Sequence, residues 1–544
     1  MERVRRSFKG GWHDNTVASL LLIRVLLFAA TLHLRADSLL IDGSETNQII
    51  DGFGVNAAYY AWTNNDLKPV IDGLVDEAGM TLFRVVFNNG WEAINDNSDS
   101  TQMDWAYYNS IYSSPECEKL WGFLGYLNEK GLTNEIMLNF QGPGPDWMGG
   151  YFLTPGFEDE WAESVASLVI YARNTRHLQF GLLAPNNEPD SNEGIHVTDA
   201  RQYVTSLHAL AANLDANGLS DIRFVGPDLS SPGILFIPEM MSDPLVASKI
   251  AHFGLHSYSP NGDGSHGITD YLTTAGYANR SLWMTEYAVW CDVCEHGSQG
   301  TNDWDYFLST AAYLFGHLYD NASAGLVWEG YDSFYPHHEG WSFWGLFAVD
   351  DTDAVPKTYT RRQSFYTLAQ VAKFVRPGAR RIGADTSLDA LAFYHDGLGQ
   401  LTVVGINHSQ QSIDIDGTLE NLPAINSLDL YYTTAATNLF HAGSVAVVND
   451  SFSLTVPASC IYTLTGFAPG RPPAPELRIT ARPGVIALSW DATASGFALE
   501  STVDMSDSMS WSVVTNVPVQ NAPEATVEVS PVDQQRFFRL RWSP

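Results

Sequence analysis

The sequence predicts an α/β protein: a (β/α)8 TIM barrel with a β-sandwich side domain and a small C-terminal all-β domain of immunoglobulin or fibronectin III type. Three observations carry this. Between residues 51 and 375, eight short runs rich in Val, Ile, Leu and Phe alternate with longer amphipathic stretches. From 376 to 468 only strand and turn patterns remain. Beyond a stiff linker at 469–476, built on Arg471-Pro472-Pro473-Ala474-Pro475, a second all-strand pattern fills 477–544.

At the start of the chain, Arg3, Arg5, Arg6 and Lys9 precede an apolar run at 25–32, and Ala36 precedes Asp37, the layout of a cleaved secretory leader over 1–36. Arg24 interrupts the apolar stretch, and a bilayer span needs roughly 20 apolar residues in a row. The expected location is secreted, periplasmic or cell-surface, with no membrane association after cleavage. Residues 37–50 read as a strand without a local partner, which assigns it to the sandwich. Barrel strands are expected at 52–57, 81–87, 135–140, 179–185, 222–225, 250–256, 281–286 and 324–328. Helices are expected at 159–175 and 199–217, the second with Asp199 and Gln202 as a candidate capping box and Gly218 past its end. Sandwich strands are expected at 390–394, 401–406, 428–433, 444–448, 452–456 and 462–465. The last domain should carry strands at 477–480, 485–490, 497–500, 511–514, 526–529 and 537–540. It reads more simply as a spacer or attachment module than as a sugar binder.

With 62 Asp and Glu against 29 Lys and Arg in 544 residues, the net charge of −33 repels phosphate backbones, so no nucleic-acid partner is expected. A neutral substrate suits such a surface, and a monomer is expected. The four cysteines are too few for a disulfide scaffold. Cys291 and Cys294 have the spacing of a redox or metal pair, but zinc wants a second pair, which leaves a local disulfide or two free thiols. His337-His338-Glu339 lacks a partner motif and reads as loop. No metal and no cofactor are expected.

Barrel chemistry gathers at the C-terminal ends of the strands. Those ends carry Asn56, Arg84, Asn88, Asn89, Asn139, Trp147, Asn187, Glu188, His256, Tyr258, Glu286 and Trp328. Glu188 follows the fourth strand and Glu286 closes the seventh. An ionised carboxylate at an apolar strand end costs free energy unless something compensates it. Two facing one cavity are what glycosidic cleavage requires: one protonates the leaving oxygen, the other attacks the anomeric carbon or activates water. Glu92, Asp146 and Glu329 read as bystander acids, solvated or hydrogen-bonded. Trp147, Trp290, Trp328, Trp341 and Trp344 are candidates for stacking on sugar faces or for packing, and strand-end position favours Trp328 for the site. His256 is divided between a sugar contact and a buried strand cap. The competing reading is a non-catalytic carbohydrate-binding protein on a retired barrel; the presence of both glutamates argues against it.

Asn187-Glu188-Pro189 after strand four, with Glu286 ending strand seven, resembles the clan A glycoside hydrolases. The order of motifs is similar to glycoside hydrolase family 30: Gln48-Ile49-Ile50-Asp51-Gly52-Phe53-Gly54, Leu82-Phe83-Arg84-Val85, Pro145-Asp146-Trp147-Met148, His256-Ser257-Tyr258 and Phe374-Val375-Arg376-Pro377-Gly378. The resemblance spans about residues 38–468 and implies a barrel paired with a sandwich. It implies retaining chemistry with Glu188 as acid/base and Glu286 as nucleophile. Asn187 would meet the sugar 2-hydroxyl, Arg84 and Tyr258 would hold Glu286, Trp328 would lie under the sugar, and His256 and Trp147 would complete the substrate contacts. On that reading Glu188 stays protonated while Glu286 is ionised. A substrate with acidic side groups is disfavoured because 329–355 contains no Lys or Arg. That leaves endo-cleavage of neutral β-galactan, β-glucan or xylan, with exo action and transglycosylation open. Gln141-Gly142-Pro143-Gly144 and the Cys291/Cys294 loop depart from the family pattern.

Overall fold

The computed structural model describes residues 36–544 except 64–65, 198, 259–264, 296–302, 334–342, 469–474, 483, 492–496, 504–510, 515–517, 522–523, 531–535 and 543–544. The expected leader up to residue 35, most of the linker, His337-His338-Glu339 and Trp341 lie outside the described residues. Among those described, no helix is long and apolar enough to cross a membrane.

After β1 (Asp37–Ile49), eight parallel strands close the barrel: β2 (Gly52–Ala58), β3 (Leu82–Asn88), β4 (Ile136–Gln141), β5 (Leu182–Ala184), β6 (Arg223–Val225), β7 (Ile250–Ser257), β8 (Ser281–Tyr287) and β9 (Ala322–Val327). All eight coincide with expected runs. β5 is the shortest relative to expectation, because Asn128 holds the main chain of Gln179 on both its N–H and its carbonyl before the strand begins. At the other end the Asn187 N–H turns to Phe140 O at 2.7 Å.

Side chains alternate across the strands. Leu82, Met137, Leu182, Val225, Trp283 and Leu326 fill the inside of the barrel, while Phe83, Val85 and Leu138 pack outward against the helices. Pairing of β2 with β3 sets Asn56 beside Arg84. Between β7 and β8 the register slips by one residue, so that His256 stands beside Glu286 and Thr285 is skipped. A bulge of this kind lets neighbouring side chains face the same interior.

The side domain follows the hairpin β10 (Phe347–Val349) and β11 (Tyr359–Arg361) and the helix Gln363–Ala372. Its strands are β12 (Arg380–Thr386), β13 (Asp389–His395), β14 (Gln400–Asn407), β15 (Ile413–Glu420), β16 (Ser427–Thr434), β17 (Thr437–Ala446), β18 (Ser451–Val456) and β19 (Cys460–Phe467). With β1 they form one nine-stranded sheet, ordered β17-β16-β19-β14-β13-β12-β1-β15-β18. Its two halves share a core, with Leu39, Ile41, Ile415 and Phe452 clustered with Val403, Leu428, Tyr462 and Leu464. β1 joins this sheet as expected, antiparallel to β12 but parallel to β15, so the sandwich is not wholly antiparallel. β12 and β15 escaped the sequence pattern: β12 opens on two arginines, and β15 turns only Ile415, Gly417 and Leu419 inward. Gln370 of the preceding helix donates to Thr433 at 3.0 Å and accepts from Thr463 at 2.7 Å, tying barrel to sandwich.

The capping box at 199–202 is half formed. Asp199 accepts from the Arg201 N–H, but Gln202 turns away to Leu153 O and Glu158 Oε1. The C-terminal domain packs a sheet of β20 (Arg478–Arg482), β21 (Val485–Asp491), β25 (Glu524–Val529) and β24 (Val519–Asn521) on one of β23 (Ser512–Val513), β22 (Phe497–Thr502) and β26 (Phe537–Trp542). Leu488, Trp490, Leu499 and Val527 form the shared core. β24, only three residues long, was not expected.

Ile41 has no exposed surface. Ile41→Ala should lower stability by about 2–5 kcal/mol, read as a fall in the urea midpoint. An unchanged midpoint would mean that β1 contributes nothing to the sandwich core.

Candidate active site

Arg84, fully buried within β3, is the hub of the site. A buried guanidinium is tolerable only if its fork is filled with acceptors. Nη1 donates to Asn56 Oδ1 at 2.7 Å and to Glu286 Oε1 at 2.5 Å. Nη2 donates to Asp228 Oδ2 at 2.7 Å and to Asn187 Oδ1. The second oxygen of Glu286 accepts from the Tyr258 hydroxyl at 2.7 Å. Both oxygens of Glu286 are thus oriented by donors.

Asp228, just beyond β6, is the member that the sequence did not reveal. It has no exposed surface and accepts from Thr285 Oγ1 at 2.5 Å and Asn139 Nδ2 at 3.3 Å. Burial alone would raise its carboxyl, but the charges of Arg84 and His256 outweigh this and hold it well below the usual carboxylate range. Its backbone matters as much: the Glu188 N–H donates to Asp228 O at 2.9 Å, and the Asp228 N–H to Gly254 O at 2.8 Å. Glu188 and Asp228 both adopt left-handed conformations, φ 41° and 61°. Non-glycine residues hold such angles only where surrounding contacts enforce them.

His256 lies beneath Glu188 and Glu286 with no exposed surface. Its Nδ1 is 2.7 Å from Glu188 Oε1 and 3.5 Å from Glu286 Oε2, and its Nε2 is 3.3 Å from Asp228 Oδ1. Burial alone would lower its pKa, but the charges of Glu286 and Asp228 and hydrogen bonds to Asp228 and Glu188 push it up to about 10. Burial would likewise raise Glu188, yet the hydrogen bond and charge of His256 outweigh it and hold Glu188 below its ordinary value. His256 thus biases Glu188 toward its ionised form, against the expectation that Glu188 rests protonated.

Above this layer opens a cavity of about 680 Å³, walled by Asn187, Glu188, Tyr258, Glu286, Trp290 and Trp328 among others. Its described walls contain no Lys or Arg but include a third carboxylate, Glu193, raised by burial and by the charges of Glu188 and Glu286. One oxygen each of Glu188 and Glu286 and a ring nitrogen of His256 all lie within 4.8 Å of one another.

Two expected substrate contacts are placed elsewhere. His256 is sealed below the cavity floor by the residues it bonds. Trp147 is not among the cavity walls; its indole donates to Glu92 O at 2.8 Å and its ring packs on Phe157. Arg84 is likewise buried, where it holds Glu286. Cys291 and Cys294 form a disulfide, packed with Trp328 and Trp344 behind the cavity wall. Of the bystander acids, Asp146 is exposed, whereas Glu92 and Glu329 are buried and hydrogen-bonded rather than solvated. Asp228 was missed because Gly226-Pro227-Asp228 reads as a turn; its place at the end of the fifth strand was the available signal.

Asp228→Ala would leave Arg84 and His256 poorly compensated in a dry site. A loss of about 3–5 kcal/mol is expected in chemical denaturation. A loss below about 1 kcal/mol, typical of exposed pairs, would mean that water already screens the network.

No protein-family model and no curated protein sequence matches the chain. Solved structures do match its fold. A glycoside hydrolase family 30 subfamily 8 xylanase from Clostridium acetobutylicum aligns with TM-score 0.61 at 18% identity, over 79% of this chain and 100% of its own. An endo-β1,6-glucanase aligns with TM-score 0.58 at 16% identity, over 80% of this chain and 95% of its own. A monomeric β-xylosidase from Caulobacter crescentus aligns with TM-score 0.54 at 14% identity, over 80% and 100%. Closed barrel and appended sandwich together give this chain the fold of the family 30 glycoside hydrolases.

Proposed function

We propose that the chain is a retaining β-glycoside hydrolase that cleaves neutral β-linked oligo- or polysaccharides through a covalent glycosyl-enzyme. The observation that carries this reading is the approach of two carboxyl groups at one cavity, with oxygens of Glu188 and Glu286 within 4.8 Å. Retaining enzymes separate these groups by about 5–5.5 Å, whereas inverting ones leave about 6.5–9.5 Å for a water. Proteins that share the fold carry the names xylanase, endo-β1,6-glucanase and β-xylosidase, which agree with this reaction class. Described walls without Lys or Arg favour an uncharged sugar chain.

Glu286, held through both oxygens by Arg84 and Tyr258, attacks the anomeric carbon. Glu188 protonates the leaving oxygen, and the proton reaches it from His256 along their 2.7 Å hydrogen bond. Once Glu286 is an ester, the like charge beside Glu188 is gone. That favours the ionised form of Glu188, which then takes a proton from the incoming water. Asn187 meets the 2-hydroxyl and Trp328 underlies the sugar. No cofactor is required, because carboxyl groups supply both proton and nucleophile. The Cys291–Cys294 disulfide supports a place in an oxidising compartment, in keeping with the leader pattern expected over 1–36.

The test is reducing-sugar release over neutral β-glucans, β-galactans and xylans. Glu286→Gln should reduce release to the blank, and Glu188→Gln should lower kcat by about 10²–10⁴-fold, with recovery in added azide. Equal release by wild type and Glu286→Gln would remove Glu286 as nucleophile, and product of inverted configuration would overturn retention. Binding of the same glycans without turnover would favour the binding-protein reading.

A pH prediction follows from His256. In the wild type the alkaline limb of kcat/KM reports loss of the proton that His256 holds up to about 10; in His256→Gln that proton must sit on the Glu188 carboxyl itself, so the limb should move to lower pH. The stability that His256 contributes should be full below pH 6.5 and be lost as pH rises through about 10. An alkaline limb that stays in place would show that His256 does not set the proton affinity of Glu188.

A further inference from the structure

We propose that the chain cuts within the glycan rather than at its ends, binding a leaving-side sugar on Tyr151 and glycone sugars in a second hollow between the loops after β2 and β3. This rests on the hydrolase reading and adds where along the glycan the cut falls. The second hollow, about 720 Å³, lies within the roughly 300–1,000 Å³ that ligand sites span. Tyr60 and Asn88 line both it and the catalytic cavity, so the two meet along one edge. Rings of Tyr59, Tyr60, Phe87 and Trp91 wall it, with Asn88 and Glu116 as polar members.

These rings are held in place. Tyr59 packs on Tyr60 and Phe87, with ring centres 4.6 Å and 5.5 Å apart. Trp91 packs on Phe87 at 5.4 Å, and its indole N–H donates to the Tyr112 hydroxyl at 3.1 Å. Asn88 Oδ1 accepts the Gly90 N–H at 2.7 Å, which sets the amide and turns Nδ2 toward Gly142 on the cavity wall. A β-linked pyranose gathers axial C–H bonds on its faces, which suit the electron-rich face of an aromatic ring. Its edge hydroxyls need donors and acceptors. An aromatic wall with a polar edge serves both.

On the other side, Tyr151 lines the catalytic cavity with 52% of its surface exposed. Among the described residues its side chain makes no hydrogen bond and packs on no other ring. Its main chain is nonetheless fixed. Gly149 and Gly150, at φ 120° and 66°, form the turn before it, and the His196 N–H donates to Tyr151 O at 2.8 Å. His196 belongs to the loop that begins at Glu188, which the Val197 N–H closes on Pro189 O at 2.8 Å. Tyr151 therefore keeps its place relative to the acid. Because the acid stands beside the leaving oxygen, the leaving part of the glycan passes along the loop tied to Glu188. The second hollow shares no wall residue with that loop, so it takes the other half of the glycan. A cut at a chain end would leave one of these sites empty.

The test uses the full chain on the neutral β-glycan that it hydrolyses, and on oligomers of two to six units from that glycan, labelled at the reducing end. Expected are a fast fall in viscosity with products of mixed length, and a kcat/KM that rises about tenfold or more from dimer to hexamer. The two variants carry opposite signs. Tyr151→Ala weakens the leaving side, so the cut in the hexamer should move toward the reducing end. Tyr60→Ala weakens the glycone side and should move it toward the non-reducing end. Tyr151→Phe should keep the wild-type cut, since the ring face alone is used. A purely structural role would lower rates without moving the cut. Release of single sugars from chain ends, equal kcat/KM on dimer and hexamer, or a cut that either alanine variant leaves in place would overturn the proposal while hydrolysis stands. No release from any glycan by the wild type would overturn the hydrolase reading, and this one with it. If a variant does not fold, the wild-type products and length dependence decide alone.

Discussion

The buried guanidinium of Arg84 is the interaction on which the rest of the site is arranged. It bridges Asp228 and Glu286 and reaches Asn56 and Asn187, so one side chain from β3 ties together residues from β2, the segment after β5, the segment after β6, and β8. Lysine could not replace it, because a point charge on a flexible stem does not present a planar fork to several acceptors. With both terminal nitrogens of Arg84 engaged, Asp228 is fixed from both sides, and its carbonyl in turn fixes the left-handed Glu188. The geometry of the two cavity carboxylates, Glu188 and Glu286, is inherited from a residue that touches neither cavity nor solvent.

Charge balance follows from the same layer. Two cations, Arg84 and His256, lie under three carboxylates, Glu188, Asp228 and Glu286. Asp228 is committed permanently, because its charge is matched on both faces. Glu188, which lines the cavity, is joined to His256 by a 2.7 Å hydrogen bond and is held below its ordinary value by it. A preorganised site of this kind needs little reorganisation when charge moves during reaction.

The barrel was legible because its signal is local: short β-rich runs between amphipathic stretches, and carboxylates at the ends of strands four and seven. Glu188 and Glu286 could be placed by that rule alone, and the structure brings them to one cavity. Asp228 could not, since Gly226-Pro227-Asp228 has the composition of a turn and its meaning comes from Arg84, distant in sequence. His256 was visible as a strand-end residue, but whether it faced sugar or carboxylates depended on the bulge at Thr285, which no periodicity announces. In the sandwich, β12 and β15 were lost because their inward faces are short, whereas β1 was assigned by having nothing nearby to pair with.

That assignment of β1 has a bearing on biogenesis. Leu39 pairs with Thr386 on one side and Gly417 on the other, so β1 must wait for the whole barrel to be made before β12 exists, and for β13 and β14 as well before β15 does. Until then its edges and the apolar face of Leu39 and Ile41 are exposed, the condition under which chains associate wrongly. The barrel is thus made and folded beside a strand that precedes it in the chain and docks after it, so the step that closes the sandwich is also the step that buries the longest-exposed part of its core.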